Sequence, residues 1–207
     1  VFPSQTGPEG PRKTLQGFLD RFEHLADQSD SAEKRAESYL RIRDARQARQ
    51  YYGSHILPEL ADKYRAGLAG QLRASPCQTL VTVVSKSPEL VYLAHAVLMP
   101  HTSLVLYDES DGDIREVIPE VQEWLGRDMN RRAELLRFPY VENIAELTRT
   151  FRTLLSEHFV AGDSKGMIID VTPGKKAISL ALIAAAPPDA RFLYWHHTQK
   201  NGRSIPF

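Results

Sequence analysis

The chain has 207 residues, 42% of them hydrophobic, which suits one domain or somewhat more with a real buried core. Its 26 basic and 26 acidic residues cancel, which argues against a large nucleic-acid or membrane surface driven by charge. The single cysteine, Cys77, excludes an internal disulfide and points to a reducing compartment, the cytoplasm, and no apolar run approaches the roughly 20 residues of a membrane span.

The chain begins at Val1 with no secretory h-region, so a fragment of a longer protein is expected. Val1–Lys13 carries Pro3, Gly7, Pro8, Gly10 and Pro11 and reads as a flexible leader. Thr14–Ala26 has Leu15, Phe18, Leu19, Phe22 and Leu25 on one helical face. Ser31–Tyr52 reads as a second helix dense in alternating charge, and a third runs from about Ile56 to Leu72. The arginines from Arg41 to Arg49 suit a solvated face with i,i+4 pairs better than a nucleic-acid contact. Residues 1–75 therefore read as a leader and helical appendage, whose role the sequence leaves open.

From residue 76 onward, strands and helices alternate. Thr79–Ser85 is apolar and β-branched, hence the first strand, and Ser87-Pro88-Glu89 has the form of a helix start with a serine cap. Leu90, Leu93, Ala94, Val97 and Leu98 follow at helical spacing, with His95 as a packing residue. Ser103–Asp108 is the second strand, and Asp113 with Glu116 has the spacing of a capping pair for a helix that includes Trp124. Ala133–Phe138 is the third strand, followed by a helix capped at Asn143 and running to about Phe159. Gly166–Val171 is the fourth, its helix ends before Pro187-Pro188, and Arg191–His196 is the fifth. Such alternation predicts an α/β fold: a Rossmann-like parallel sheet of about five strands with helices on both faces. Right-handed crossovers make the order 3-2-1-4-5 the simplest. That order reverses between strands one and four, so the loops at Ser85 and Thr172 become neighbours at the switch point.

Those two loops carry the chemistry. Ser85-Lys86-Ser87-Pro88 offers two hydroxyls, a lysine and a helix N-terminus; a capped helix without a ligand is the plainer alternative. Thr172-Pro173-Gly174-Lys175-Lys176 places two lysines in a first helical turn, where the dipole disfavours cations unless an anion is bound. Tyr107 and Asp108, ending strand two, complete the candidate ligand-facing set. Asp108 reads first as a turn acid and second as a partner for a ribose hydroxyl. Neither G-x-G-x-x-G nor G-x-x-x-x-G-K-[ST] is present, which excludes a dinucleotide-binding fingerprint and an ATPase P-loop. His196 and His197 would point to opposite faces of a strand and suit one metal poorly, so neither a metal nor a cofactor is expected.

Asp170-Val171-Thr172-Pro173-Gly174-Lys175-Lys176 after an apolar strand resembles the D-x-T-G-G-T-K motif of CRISPR-associated Rossmann fold (CARF) domains. Thr79–Ser85 running into Ser87-Pro88-Glu89 is similar to that family's first strand and loop, and the likeness covers roughly Gln78–His197. Pro173 stands where the family has its first glycine, and Lys175 where it has threonine. The resemblance implies a sensor of cyclic oligoadenylate, tetra- or hexa-adenylate, bound across the two-fold axis of a homodimer. It implies control of an effector domain, fused outside this chain or separate, in type III CRISPR antiviral defence. Thr172, Gly174 and Lys176 match the family's phosphate-contacting positions, and Ser85 and Ser87 its first-loop ligand region. The alternative on the same fold is a stand-alone ring nuclease or other nucleotide-processing enzyme, with Ser85, Ser87 and Lys176 as its catalytic residues. A structural interaction domain without a ligand is a third reading.

Overall fold

A computed structural model of the chain describes residues 32–128, 130–158, 164–195, 197–200 and 203–206. The expected leader and the Thr14–Ala26 helix lie outside the described residues. The chain divides into two compact units, Val1–Ile56 and Leu57–Phe207.

The first unit contains α1 (Ala32–Arg41), α2 (Ala45–Tyr51) and a π-helical turn, Tyr52–Ile56. The single helix expected over Ser31–Tyr52 is thus interrupted. Asp44 leaves helical conformation (φ −71°, ψ 123°) and its carboxylate accepts the Gln47 N–H at 2.8 Å, capping a new helix. Asp44 offers a better N-cap than a mid-helix residue, and the charge pattern conceals the break. Within the unit the Tyr39 and Tyr52 rings lie 5.8 Å apart.

The second unit is a Rossmann-like α/β domain. Its parallel sheet comprises β1 (Thr79–Val83), β2 (Thr102–Asp108), β3 (Arg132–Phe138), β4 (Met167–Asp170) and β5 (Arg191–Leu193), in the order β3-β2-β1-β4-β5. The helices are α3 (Leu57–Ala74), α4 (Glu89–Leu98), α5 (Gly112–Gly126), α6 (Ile144–His158) and α7 (Lys176–Ala185). Strand alternation separates the two faces. Val81, Val83, Leu104, Leu106, Met167 and Ile169 pack under Leu147, Phe151 and Leu155 of α6 and Ile178, Ala181, Leu182 and Ala185 of α7. The other face, with Leu80, Val105 and Ile168 buried, is covered by α4 on β1 and α5 on β2 and β3.

Three expectations are revised. The expected appendage included α3, but α3 falls in the sheet-bearing unit and packs along α4, where Arg65 Nη2 donates to the Ala96 carbonyl at 2.8 Å. That carbonyl is among the last four of α4 and has no partner within its own helix, so the guanidinium satisfies it. The fifth strand stops at Leu193, and His197–Lys200 pairs antiparallel with Arg203–Pro206 as β6 and β7. Finally, Asp113 is not a cap. Asp111 takes that place, accepting the N–H groups of Asp113 (3.1 Å) and Ile114 (3.4 Å). The expected Asn143 cap stands, its side-chain oxygen accepting from Ala145 and Glu146. His95 and Trp124 pack edge to face, as expected of packing residues. His95 is buried and its Nδ1 lies 2.9 Å from Ser103 Oγ, while burial and then Arg131 lower its pKa to about 4.

Gly166 leads into β4 at a point with no room for a side chain. Its carbonyl accepts the Gln78 N–H at 2.8 Å, and a Cβ placed on it would lie 2.6 Å from the Gln78 Cβ. We expect Gly166→Ala to lower stability by about 1–3 kcal/mol, the usual cost of forcing atoms into a filled site. Urea unfolding measures it, and an unchanged midpoint would contradict this account of the β1–β4 junction.

Candidate functional site

A crevice of about 310 Å³ opens at the carboxyl ends of β1, β2 and β4, where the strand order reverses. Its walls include Ser85, Lys86 and Ser87 from the first loop and Thr172, Pro173, Gly174 and Lys175 from the second. Asp108 at the end of β2 and Asp111 before α5 form a third wall. Eleven residues were singled out in the sequence, and these walls hold eight of them. Pro88, Tyr107 and Lys176 do not line the crevice. Pro88 is buried as the N-cap residue of α4, Tyr107 projects from the strand face opposite Asp108, and Lys176 is exposed at the start of α7.

The helix termini differ at this site from those elsewhere. Helices α2 and α5 are capped by Asp44 and Asp111, and α6 by Asn143. By contrast, α4 and α7, which flank the switch point, have no side-chain cap. The expected Ser87 cap is therefore corrected. Pro88 adopts helical angles (φ −65°, ψ −13°), which moves the start of the helix one residue past the serine. The hydroxyl that organises this loop belongs to Ser85: Oγ accepts the Ser87 N–H at 3.2 Å. At α7 the N-cap is Lys175 itself, in extended conformation, after Gly174 at φ 91°. Only glycine adopts that φ without strain, so Gly174 makes the turn possible. Uncapped N–H groups and the positive ends of two helices thus meet at one crevice, an arrangement suited to an anion.

Both lysines of the crevice have partners. The Lys175 ammonium lies 3.8 Å above the centre of the Tyr140 ring and 4.0 Å from Asp108 Oδ2. Lys86 forms an exposed ion pair with Asp113 on α5, a hydrogen bond that raises the lysine pKa. Asp108 is only 2% exposed, and its Oδ1 accepts the N–H (2.9 Å) and the hydroxyl (2.6 Å) of Ser110.

Behind the second loop stands Asp170, fully buried at the end of β4. Its Oδ1 accepts the Thr172 N–H at 3.0 Å, and the Thr82 hydroxyl lies 3.4 Å from Oδ2. Thr172 Oγ1 in turn accepts the Trp195 N–H at 2.7 Å. Thr172 therefore works inward, holding the loop to the segment after β5, as well as lining the crevice. Burial raises the Asp170 pKa to about 6, against the pull of hydrogen bonds from Thr172, Thr82 and Trp195. Asp170, Asp111 and Tyr140 were not singled out as site residues. Asp170 stood in the motif, but its role rests on burial, and Tyr140 lies in a loop with no motif of its own.

Cys77 is buried, as a small residue ahead of a strand should be, and burial pushes its thiol up to about 12. Among the described residues no helix is long and apolar enough to cross a membrane, and no cluster of three metal-ligating side chains occurs. No protein-family model matches the chain, and neither does any curated protein.

The buried carboxylate makes a pH prediction with a definite sign. Its folded pKa of about 6 exceeds the ordinary 3.8, so between those values the folded state binds the proton more tightly than the unfolded chain. Its contribution is fully favourable below the unfolded value and is lost as pH rises through about 6. At most it changes by about 3 kcal/mol. Relative to wild type, Asp170→Asn should therefore gain stability as pH rises from 4 to 7. Groups common to both proteins, including His95, cancel in that difference. Parallel stability–pH curves would contradict the assignment.

Proposed function

We propose that the crevice binds cyclic oligoadenylate, tetra- or hexa-adenylate, at the cleft of a homodimer. The domain is then a sensor that regulates an effector in type III CRISPR antiviral defence. One observation carries this reading: two uncapped helix N-termini and two lysines face a single switch-point crevice, walled by both motif-bearing loops. Bridging phosphates of a nucleotide ring are the anions that such a pair of termini suits. The hydroxyls of Ser85 and Ser87 stand at the same wall as hydrogen-bonding groups for ribose or phosphate.

The two-fold arrangement has its own support. On α7 the side chains of Leu180 and Ile183 are 54% and 45% exposed, and they share a helical stripe with exposed Lys176. An isologous pairing through this stripe covers both apolar side chains and brings Lys176 to the ring from the partner's side. That accounts for a motif lysine that does not line its own crevice. In this assembly each protomer contributes one copy of both loops.

Titration with cyclic tetra-adenylate or hexa-adenylate should give one ring per two chains. Lys175→Ala should weaken binding by about 1.5–3 kcal/mol, the range for a hydrogen bond to a charged group. Leu180→Glu should leave the fold intact, yield monomers and abolish tight binding. Recovery of the ring intact after incubation distinguishes a sensor from a ring nuclease. Wild-type affinity in Lys175→Ala would remove the phosphate site, and a strictly monomeric one-to-one complex would remove the two-fold arrangement.

A further inference from the structure

We infer that Asp108 is a charge filter, which admits singly charged phosphodiesters to the crevice and turns away dianionic terminal phosphates. The inference rests on the crevice being a phosphate site and specifies which phosphate it takes. Asp108 is 2% exposed and cannot swing into solvent, because Ser110 fixes Oδ1 with two hydrogen bonds. Its Oδ2 faces the Lys175 ammonium at 4.0 Å, and the Tyr140 ring beneath that ammonium holds it in place. The lining carboxylates of Asp108 and Asp111 offset the lining ammonium groups of Lys86 and Lys175. Lys86 is further committed to Asp113.

With the lining side-chain charges balanced, the attraction left for a ligand is that of the helix ends, equivalent to at most about half an elementary charge each. Buried Glu89 in the first turn of α4 offsets part of one of them. Asp113 on Lys86 and Glu89 at the α4 end leave the helix ends with less than one full charge. A second ligand charge therefore gains little from them and meets the fixed carboxylate of Asp108. A phosphodiester carries one charge, whereas a phosphomonoester approaches two above its second ionisation near pH 6. Direct contact of Asp108 with a ribose hydroxyl fits the geometry less well. One of its oxygens already accepts two bonds, the other faces an ammonium, and the residue is buried. A filter of this kind would keep free mononucleotides from occupying a site meant for internal linkages.

The probes are AMP and its 5′-phosphate methyl ester, which share base and ribose and differ by one ionisation. Titrations of the full chain, followed by amide chemical shifts of the Ser85 and Gly174 loops, should show the ester binding about tenfold more tightly at pH 7.5. The gap should close toward pH 5.5 as AMP takes up a proton. The charged groups around the crevice (Asp108, Asp111, Lys86, Lys175, with Asp113, Glu89 and Lys176) are the same for both probes. The deeper Asp170, with a pKa of about 6, titrates in this window. Repeating the titration in Asp170→Asn therefore isolates the ligand's own ionisation. Asp108→Asn, which retains an acceptor for Ser110, should tighten AMP about tenfold and the ester about threefold, since the removed charge acts half as strongly on a monoanion. Equal affinity of wild type for the two probes at pH 7.5 overturns the filter and leaves the phosphate site standing. Weaker binding of both probes by Asp108→Asn overturns it in favour of a ribose contact. Failure of the ester to bind wild type at low millimolar concentration overturns both the filter and the phosphate site. If Asp108→Asn does not fold, the comparison of the two probes on wild type at pH 7.5 decides alone.

Discussion

The candidate site depends on the burial of one carboxylate. Asp170 ends β4 with no exposure to water, beside Thr82 of β1, and its hydrogen bonds run to the turn that follows. Through Thr172 the same network reaches the backbone of Trp195 beyond β5. One side chain thereby ties together the first strand, the fourth strand, the second motif loop and the sheet edge. A buried polar network of this type is useful only when its members are satisfied, which fixes the geometry of everything attached to it. The loop can then present its backbone to a ligand without being free to close on itself.

What the network holds in place is an electrostatic feature of the fold. A doubly wound parallel sheet splits its helices at the switch point and aims their N-termini into the gap. At α2, α5 and α6 aspartate or asparagine caps satisfy such ends. At α4 and α7 they do not, since a proline and a lysine occupy the cap positions. The lysines are held back from simple anion capture by Asp108, Asp113 and Tyr140. The crevice thus combines two helix ends without side-chain caps with ammonium groups that already have partners.

Much of the fold is legible in the linear chain because its signals are local. Apolar β-branched runs such as Thr79–Val83, the helical spacing of Leu90, Leu93 and Val97, and the Asn143 cap depend on near neighbours in sequence. Handedness then reduces the possible strand orders to few, and β3-β2-β1-β4-β5 is the simplest. The loops around Ser85 and Thr172 were legible as neighbours for the same reason. Local competition was harder to read: Asp111 against Asp113, Ser87 against Pro88, and the break at Asp44 each turn on a shift of one or two residues. A capping residue is recognised by its type, while the residue that caps is set by which backbone leaves the helix first.

The sequence by itself determined the fold class, the switch point and the two loops that meet there, since periodicity, turn residues and crossover handedness are short-range properties. Only the tertiary structure decided which charges are free. The burial of Asp108 and Asp170, the seat of Lys175 over Tyr140, and the outward placement of Lys176 arise between elements distant in sequence. The grouping of α3 with the sheet is likewise a matter of contact across the domain. No spacing rule encodes these, because a charge's strength depends on the solvent around it and the partner opposite it, and both are supplied by folding.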